Sequence, residues 1–188
     1  DELVIVDTGS TDDTVEIAKT YTDKVDFFEW NDSFADAKNY AMSLCSGDWV
    51  MGLDADCRLE EGGIEKMRGA IAKYGDAHDV INVTLISADS PGNEHIMPKI
   101  FKNDGSVKYS GAIHEAPTKL GYGEGEVRIN YHYGPSHKAD PDRNVRILKK
   151  QLKEKPGNAR SMFYLAREYY YRKDYQPAFD MFSKYIAI

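Results

Sequence analysis

The sequence is poor in cysteine, has no long apolar run and carries no excess of positive charge. Each absence excludes something. The two cysteines, Cys45 and Cys57, have no metal-binding spacing and suggest no disulfide framework, so a reducing, cytosolic setting is expected. No apolar stretch approaches the roughly 20 residues that cross a bilayer, and no signal peptide is visible. Any membrane association is therefore expected to be peripheral. The formal net charge of −7 argues against a dedicated nucleic-acid binder, which presents a basic face. An anionic substrate would then need a metal or a local basic group. An initiator methionine is lacking too. Asp1-Glu2-Leu3 runs straight into a strand-like segment, and the chain stops inside a helical pattern at Ile186-Ala187-Ile188, as an excerpt of a longer protein would.

What is present suffices for a folded α/β domain with an appendage. The 188 residues are 41% hydrophobic and 12% aromatic, which supports a sizeable core and excludes wholesale disorder. Leu3-Val4-Ile5-Val6 is a β-branched run of the kind buried on both faces of a parallel sheet. It stops at Asp7-Thr8-Gly9-Ser10, where Gly9 permits a tight turn and Ser10, Thr11 or Asp12 can cap a helix. A second strand is expected over 24–30. Asp32 or Ser33 should cap a helix over 34–44, and a third strand should cover 48–53. Three β-then-α units in a row predict a parallel sheet with helices on both faces. A helix over 64–74 and strand-like segments at 79–87, 95–102, 107–113 and 127–133 follow, in a mixed or antiparallel pattern. From Pro141 the chain is helical and basic.

The third strand ends in Asp54-Ala55-Asp56. In extended backbone, residues two apart face the same way, so the two carboxylates can converge on one spot. Like charges placed together are tolerated when a cation lies between them, and carboxylate oxygens suit Mg²⁺ or Mn²⁺. The competing reading is an acidic turn or helix cap before Glu60-Glu61-Gly62-Gly63. Ligands of open α/β sheets sit beyond the carboxyl ends of strands. Asp7 and the Asp54/Asp56 pair both occupy such ends, which puts three carboxylates on one expected rim and favours the binding site.

The run from Val4 to Thr14 resembles the nucleotide-sugar turn of family-2 glycosyltransferases with the glycosyltransferase-A fold. Lys38-Asn39, Gly47-Asp48-Trp49 and Asp54-Ala55-Asp56 match that family's next blocks in order and spacing. His114-Glu115, His132-Tyr133-Gly134 and the helical end resemble the subgroup fused to tetratricopeptide repeats. Leu165, Ala166, Tyr169, Ala178 and Phe182 fall at the spacing of one such unit, although Tyr185 stands where a small residue is usual. A single unit cannot bury its own face, so it must lean on the first domain or continue into further repeats. The strand that opens the family, ahead of Asp7, is missing from this sequence.

The resemblance implies a Rossmann-like mixed sheet over 1–138 and a helical linker with a partial repeat over 139–188. It implies a nucleotide-sugar donor, UDP-linked by preference, and a divalent metal, Mn²⁺ or Mg²⁺. Asp7, Ser10, Lys38, Asn39 and Asp54 would line the donor, and Asp56 with Asp54 would ligate the metal. His132 is a candidate third ligand, against a structural histidine in an aromatic pocket between Tyr131 and Tyr133; His137, in a polar loop, ranks below it. Glu115 is the candidate base, against a surface carboxylate at a strand end. His114-Glu115 is no zinc-protease signature, because Thr118 stands where the second histidine is required. Lys138 or Arg143 could close over the diphosphate, against an ordinary solvated basic face. The expected activity is a metal-dependent, inverting sugar transfer to a protein, peptide or cell-surface glycan. The rival is a non-catalytic donor-binding domain that acts in protein interaction through its helices. A nucleotidyltransferase is disfavoured, since the first turn is acidic where a basic, Gly-rich phosphate loop would lie.

Overall fold

The computed structural model describes residues 1–90, 92–132 and 140–188. Along the chain run β1 (Ile5–Asp7), α1 (Thr14–Lys19), β2 (Val25–Phe27), α2 (Phe34–Ser43), β3 (Trp49–Met51), β4 (Cys57–Leu59) and α3 (Gly63–Tyr74). β5 (Val80–Ser87), β6 (Glu94–Lys102), β7 (Tyr109–Ser110), β8 (Ala116–Pro117) and β9 (Arg128–Tyr131) follow. Three helices close the described chain: α4 (Arg143–Glu154), α5 (Ala159–Tyr171) and α6 (Tyr175–Ile186). No helix among the described residues is long and apolar enough to cross a membrane.

The main sheet has the order β3-β6-β5-β9-β4. β5 is its centre, antiparallel to β6 and parallel to β9. Ile81 and Val83 from β5, Ile100 from β6 and Val127 and Ile129 around β9 are fully buried, and Ala70 of α3 packs on them. Each such side chain contributes roughly 1.5–3 kcal/mol by leaving water. The second half of the chain is thus mixed, as its alternating pattern predicts.

The first half corrects the expectation of one parallel sheet through three units. β1 and β2 do pair in parallel, with Ile5 opposite Val25, but as a separate two-stranded sheet. β3 turns to the other half of the chain and runs antiparallel to β6, with Val50 opposite Phe101. Burial explains the choice: Val50 and Phe101 are both inside, and β6 offers β3 an apolar neighbour across a full hydrogen-bonding edge. The acidic segment after β3 is no helix cap, but it is a turn rather than extended backbone, the Cys57 amide donating to the Asp54 carbonyl at 2.9 Å. It leads into β4, which pairs with β9. The expected strand over 107–113 shrinks to β7, and the residues after it form an irregular loop.

Helix starts follow the local chemistry. Ser33 caps α2, its hydroxyl accepting from the Asp36 amide at 3.2 Å, and Asn158 caps α5 through Ser161. The last three helices lean on the first domain. Val145, Ile147, Leu148 and Leu165 share one buried cluster with Ile113, and Trp30 and Phe34 pack against it. The stripe Arg143–Lys155 is only partly a solvated face. Arg143 lies over the Phe34 ring at 5.2 Å, and Arg146 approaches Asp32 at 3.6 Å.

Candidate active site

Asp54 stands just beyond the end of β3, and its two oxygens are held by two lysines. Oδ1 lies 2.7 Å from Lys38 Nζ and Oδ2 lies 2.6 Å from Lys99 Nζ. Lys38 projects from α2 and also reaches Glu115 Oε1 at 2.5 Å. The result is an alternating chain, Lys99–Asp54–Lys38–Glu115, of two cations and two carboxylates. Burial raises the Asp54 pKa, but the charges of Lys99 and Lys38 overcome it and hold the group at about 2. Burial likewise opposes the charge on Lys38, yet the carboxylates of Asp54 and Glu115 raise its pKa above the ordinary lysine value. Asp54 and Lys38 are therefore both ionised near neutrality.

Lys99 was not among the sequence candidates. It lies in β6 between Pro98 and Ile100, its side chain only 7% exposed. Its carbonyl accepts from the Gly52 amide at 2.8 Å, which fixes the end of β3 beside it. A lysine in an apolar strand segment is a usable signal, because such a residue is seldom buried without a carboxylate. The partner, 45 positions upstream, is not legible from spacing.

Glu115 is mostly shielded, its side chain 13% exposed, so the surface-carboxylate reading does not hold. Only Oε1 is bound by Lys38, and Oε2 has no hydrogen bond among the described residues. The loop before it turns back at Gly111 (φ 93°) and His114 (φ 51°). It is fastened to α2 by the Phe34 amide, which donates to the Ala112 carbonyl at 2.7 Å.

Asn39 is committed elsewhere. Its amide donates to the Tyr109 carbonyl at 3.0 Å and accepts from the Tyr109 amide at 2.8 Å, so it clamps β7 to α2. The buried Tyr109 hydroxyl has no hydrogen-bond partner among the described residues, and its ring lies 5.3 Å from the Lys38 ammonium. Desolvation pushes that hydroxyl's pKa well up.

Asp56 and His132 are brought together through the backbone, the His132 amide donating to the Asp56 carbonyl at 3.1 Å. The pairing of β4 with β9 sets this up, since Cys57 lies opposite Tyr131. The His132 side chain is 63% exposed and 3.9 Å from Asp89, and Tyr133, the second wall of the expected aromatic pocket, lies outside the described residues. Among the described residues, no three His, Cys, Asp or Glu side chains are grouped to hold a metal. His137 and Lys138 lie outside the described residues.

Asp7 ends β1 as expected, with its carboxylate turned onto its own loop. Gly9 and Ser10 donate their amides to it, at 2.9 and 3.1 Å. The Ser10 side chain and then those amides lower its pKa. Gly9 takes φ 110°, open to glycine but strained for other residues. Asp7 and Ser10 make no hydrogen bond or ion pair with the Asp54 group, and β1 and β3 belong to different sheets. The expected rim of three carboxylates is thus divided between two sheets.

This layout invites comparison with known proteins. Residues 1–123 match the family described as Glycosyl transferase family 2. The chain belongs to that family. The glycosyltransferase SunS of Bacillus phage SPbeta is 27% identical over 203 aligned positions, covering 98% of this chain and 47% of SunS. An uncharacterized glycosyltransferase of Rickettsia typhi, RT0209, is 46% identical over 61 positions, 32% of this chain and 20% of the relative. The crystal structure of S. aureus TarS 1–349 in complex with UDP-GlcNAc superposes with a TM-score of 0.53 at 16% identity, covering 89% of this chain and 62% of TarS. The chain therefore spans about half the length of the SunS proteins it matches, and its sheet and helices share the fold of TarS 1–349 over the part they cover. The family match takes in β1 to the loop after β8, and so every member of the lysine–carboxylate chain.

Proposed function

We propose that this family-2 domain transfers a sugar from a nucleotide-diphosphate donor, UDP-linked by preference, with inversion at the anomeric carbon. The observation that carries the reading is the Lys99–Asp54–Lys38–Glu115 chain. It sets a shielded carboxylate, one oxygen of which has no hydrogen bond among the described residues, beside a D-x-D acid and a cation that faces both. TarS, of the same fold, is described with bound UDP-GlcNAc, which supports the donor class.

A divalent metal is proposed to bind jointly with the donor, and Asp56 and His132 would hold it. Asp56 and His132 are neighbours, whereas both oxygens of Asp54 already face lysines, and Mg²⁺ and its kin commonly take one or two protein ligands plus substrate phosphates. Bound there, Mn²⁺ or Mg²⁺ would neutralise charge developing on the departing diphosphate. The chain's own residues supply the rest. The acceptor nucleophile attacks the anomeric carbon as the carbon–oxygen bond to the diphosphate breaks, and that electron pair leaves with the diphosphate. Glu115 Oε2 takes the acceptor's proton. Lys38, held between two carboxylates in this state, is the cation nearest to hand for the leaving group. Asp54, gripped by Lys99, keeps a fixed orientation toward the ribose.

The acceptor is proposed to be a protein, peptide or cell-surface glycan, and the site cytosolic, at most peripheral to a membrane. The three terminal helices are proposed to begin a tetratricopeptide-like array. Exposed Tyr170, Tyr171, Tyr175 and Phe179 on α5 and α6 favour a partner-binding role beside catalysis. Calorimetry of the whole protein with UDP and Mn²⁺ tests the central reading: nucleotide binding that needs metal and disappears in Asp56→Ala is expected. Nucleotide binding indifferent to metal removes the metal from the scheme, and no nucleotide binding removes the enzyme.

A further inference from the structure

The loop that carries Glu115 is held from a helix outside the family match. Arg160, on the first turn of α5, donates from Nε and Nη2 to the His114 carbonyl, at 3.1 and 2.6 Å. The His114 ring stacks on Tyr164 with centroids 4.1 Å apart. Its Nε2 lies 3.6 Å from Glu168 Oε1 and 3.3 Å from Arg167 Nη2. Glu168 is held in turn by Asn144 of α4 at 3.0 Å. His114 adopts φ 51°, a left-handed conformation that a non-glycine residue holds only when its surroundings over-determine it. The residues of α5 are those surroundings.

We infer that α5 is a working part of the transfer site: Arg160, with Tyr164 and Glu168, fixes His114 in its strained turn and so aims Glu115. This rests on the proposed role of Glu115 as base. Arg160 touches neither Glu115 nor any donor-facing group, so it is a positioning residue acting through the His114 backbone. The loop is pinned at two points. Phe34 of α2 holds Ala112 and α5 holds His114, while Lys38 meets the carboxylate itself. Without Arg160, His114 can relax toward negative φ, and the next side chain swings with it. A misplacement of about 1 Å in a reacting group can cost on the order of a hundredfold in rate.

Arg160 is exposed, so Arg160→Ala should fold. Two measurements on the whole protein test the inference. Amide hydrogen exchange of the peptide over 110–118 reads the loop without any donor. It should quicken in Arg160→Ala while peptides of α6 exchange as before, and Arg160→Lys should recover part of the protection. Hydrolysis of UDP-GlcNAc and other UDP- and GDP-sugars, with water as acceptor, reads the aim. The kcat should fall about tenfold or more with the donor KM within about twofold, the signature of a group that acts after binding. Glu168→Gln, which leaves the hairpin core intact, should reproduce both effects more weakly. Unchanged exchange over 110–118 overturns the inference, and so does a loosened loop with unchanged kcat. Absence of nucleotide binding in the unmodified protein would instead sink the transferase reading, a separate result.

Discussion

The sharpest prediction concerns which half of the Asp54–Lys99 pair the fold can do without. Lys99 is 7% exposed and has Asp54 as its one carboxylate partner among the described residues. Replacing Asp54 with Ala strands that ammonium in the core, and an uncompensated buried charge costs about 3–5 kcal/mol. The reverse change is milder. In Lys99→Met the stem is replaced by a similar volume, and Asp54, 39% exposed, keeps Lys38 at 2.7 Å; screened pairs of this kind are worth about 1 kcal/mol or less. The double variant Asp54→Ala/Lys99→Met removes charge and partner together and should lie within about 1.5 kcal/mol of the parent. Urea unfolding followed by circular dichroism at pH 7 measures all four corners of the cycle. The reasoning is refuted if Asp54→Ala costs under about 1 kcal/mol, or if the double variant is as unstable as Asp54→Ala alone. The result also bears on function. Inactivity of Asp54→Ala alone does not separate chemistry from unfolding, whereas an inactive and stable double variant beside an active Lys99→Met assigns Asp54 to the chemistry.

Three further outcomes are expected. The Asp54 pKa is lowered from 3.8 to about 2, so its contribution is full above pH 3.8 and is lost as pH falls toward 2; allowing for screening, about 1 kcal/mol should vanish across that window in acid titrations, and not in the double variant. Tyr109→Phe removes a buried hydroxyl that has no partner among the described residues and should be neutral or stabilising by up to about 1 kcal/mol in thermal melts. A loss beyond about 1 kcal/mol would mean the hydroxyl has a partner after all. Leu165→Ala opens a cavity where α5 meets Ile113 and should cost about 2–5 kcal/mol. Because that cluster joins the terminal helices to the first domain, a single unfolding transition should split into two, and one unchanged transition would show the halves to be independent.

The local features of this protein were legible because short-range physics decides them. Gly9 behind Asp7, Ser33 ahead of α2 and the amphipathic spacing of α5 each carry their own signal within a few residues. Lys38, Asp54 and Glu115 were named one by one through the family resemblance, but their clustering, with 77 positions between Lys38 and Glu115, was not legible. What could not be read depends on distant partners. β3 looks like the third member of a parallel series, and only the burial of Val50 against Phe101, 51 positions on, turns it antiparallel. β4 is three residues long and has no pattern of its own until β9 supplies an edge. Lys99 is an ordinary strand lysine until Asp54 lies 2.6 Å away. Asn39 shows the opposite error. Its place beside Lys38 suggested a ligand contact, but an asparagine next to a strand edge can equally satisfy backbone amides, and here it binds Tyr109 at both ends.

The central position of β5 has a bearing on the order of folding. Its pairing with β6 closes only a short turn, from Ser87 to Glu94. Its parallel pairing with β9 and that of β9 with β4 span about 40 and 70 residues, and β3 must cross a similar gap to find β6. Loop-closure entropy rises with separation, and long-range pairings form late. The β5–β6 hairpin is therefore the natural nucleus, and Asp54 and His132, at the ends of late-joining strands, reach their places last. In refolding from urea, recovery of nucleotide affinity should lag behind recovery of the far-ultraviolet signal, so the protein would pass through a stage that has its shape before it has its site.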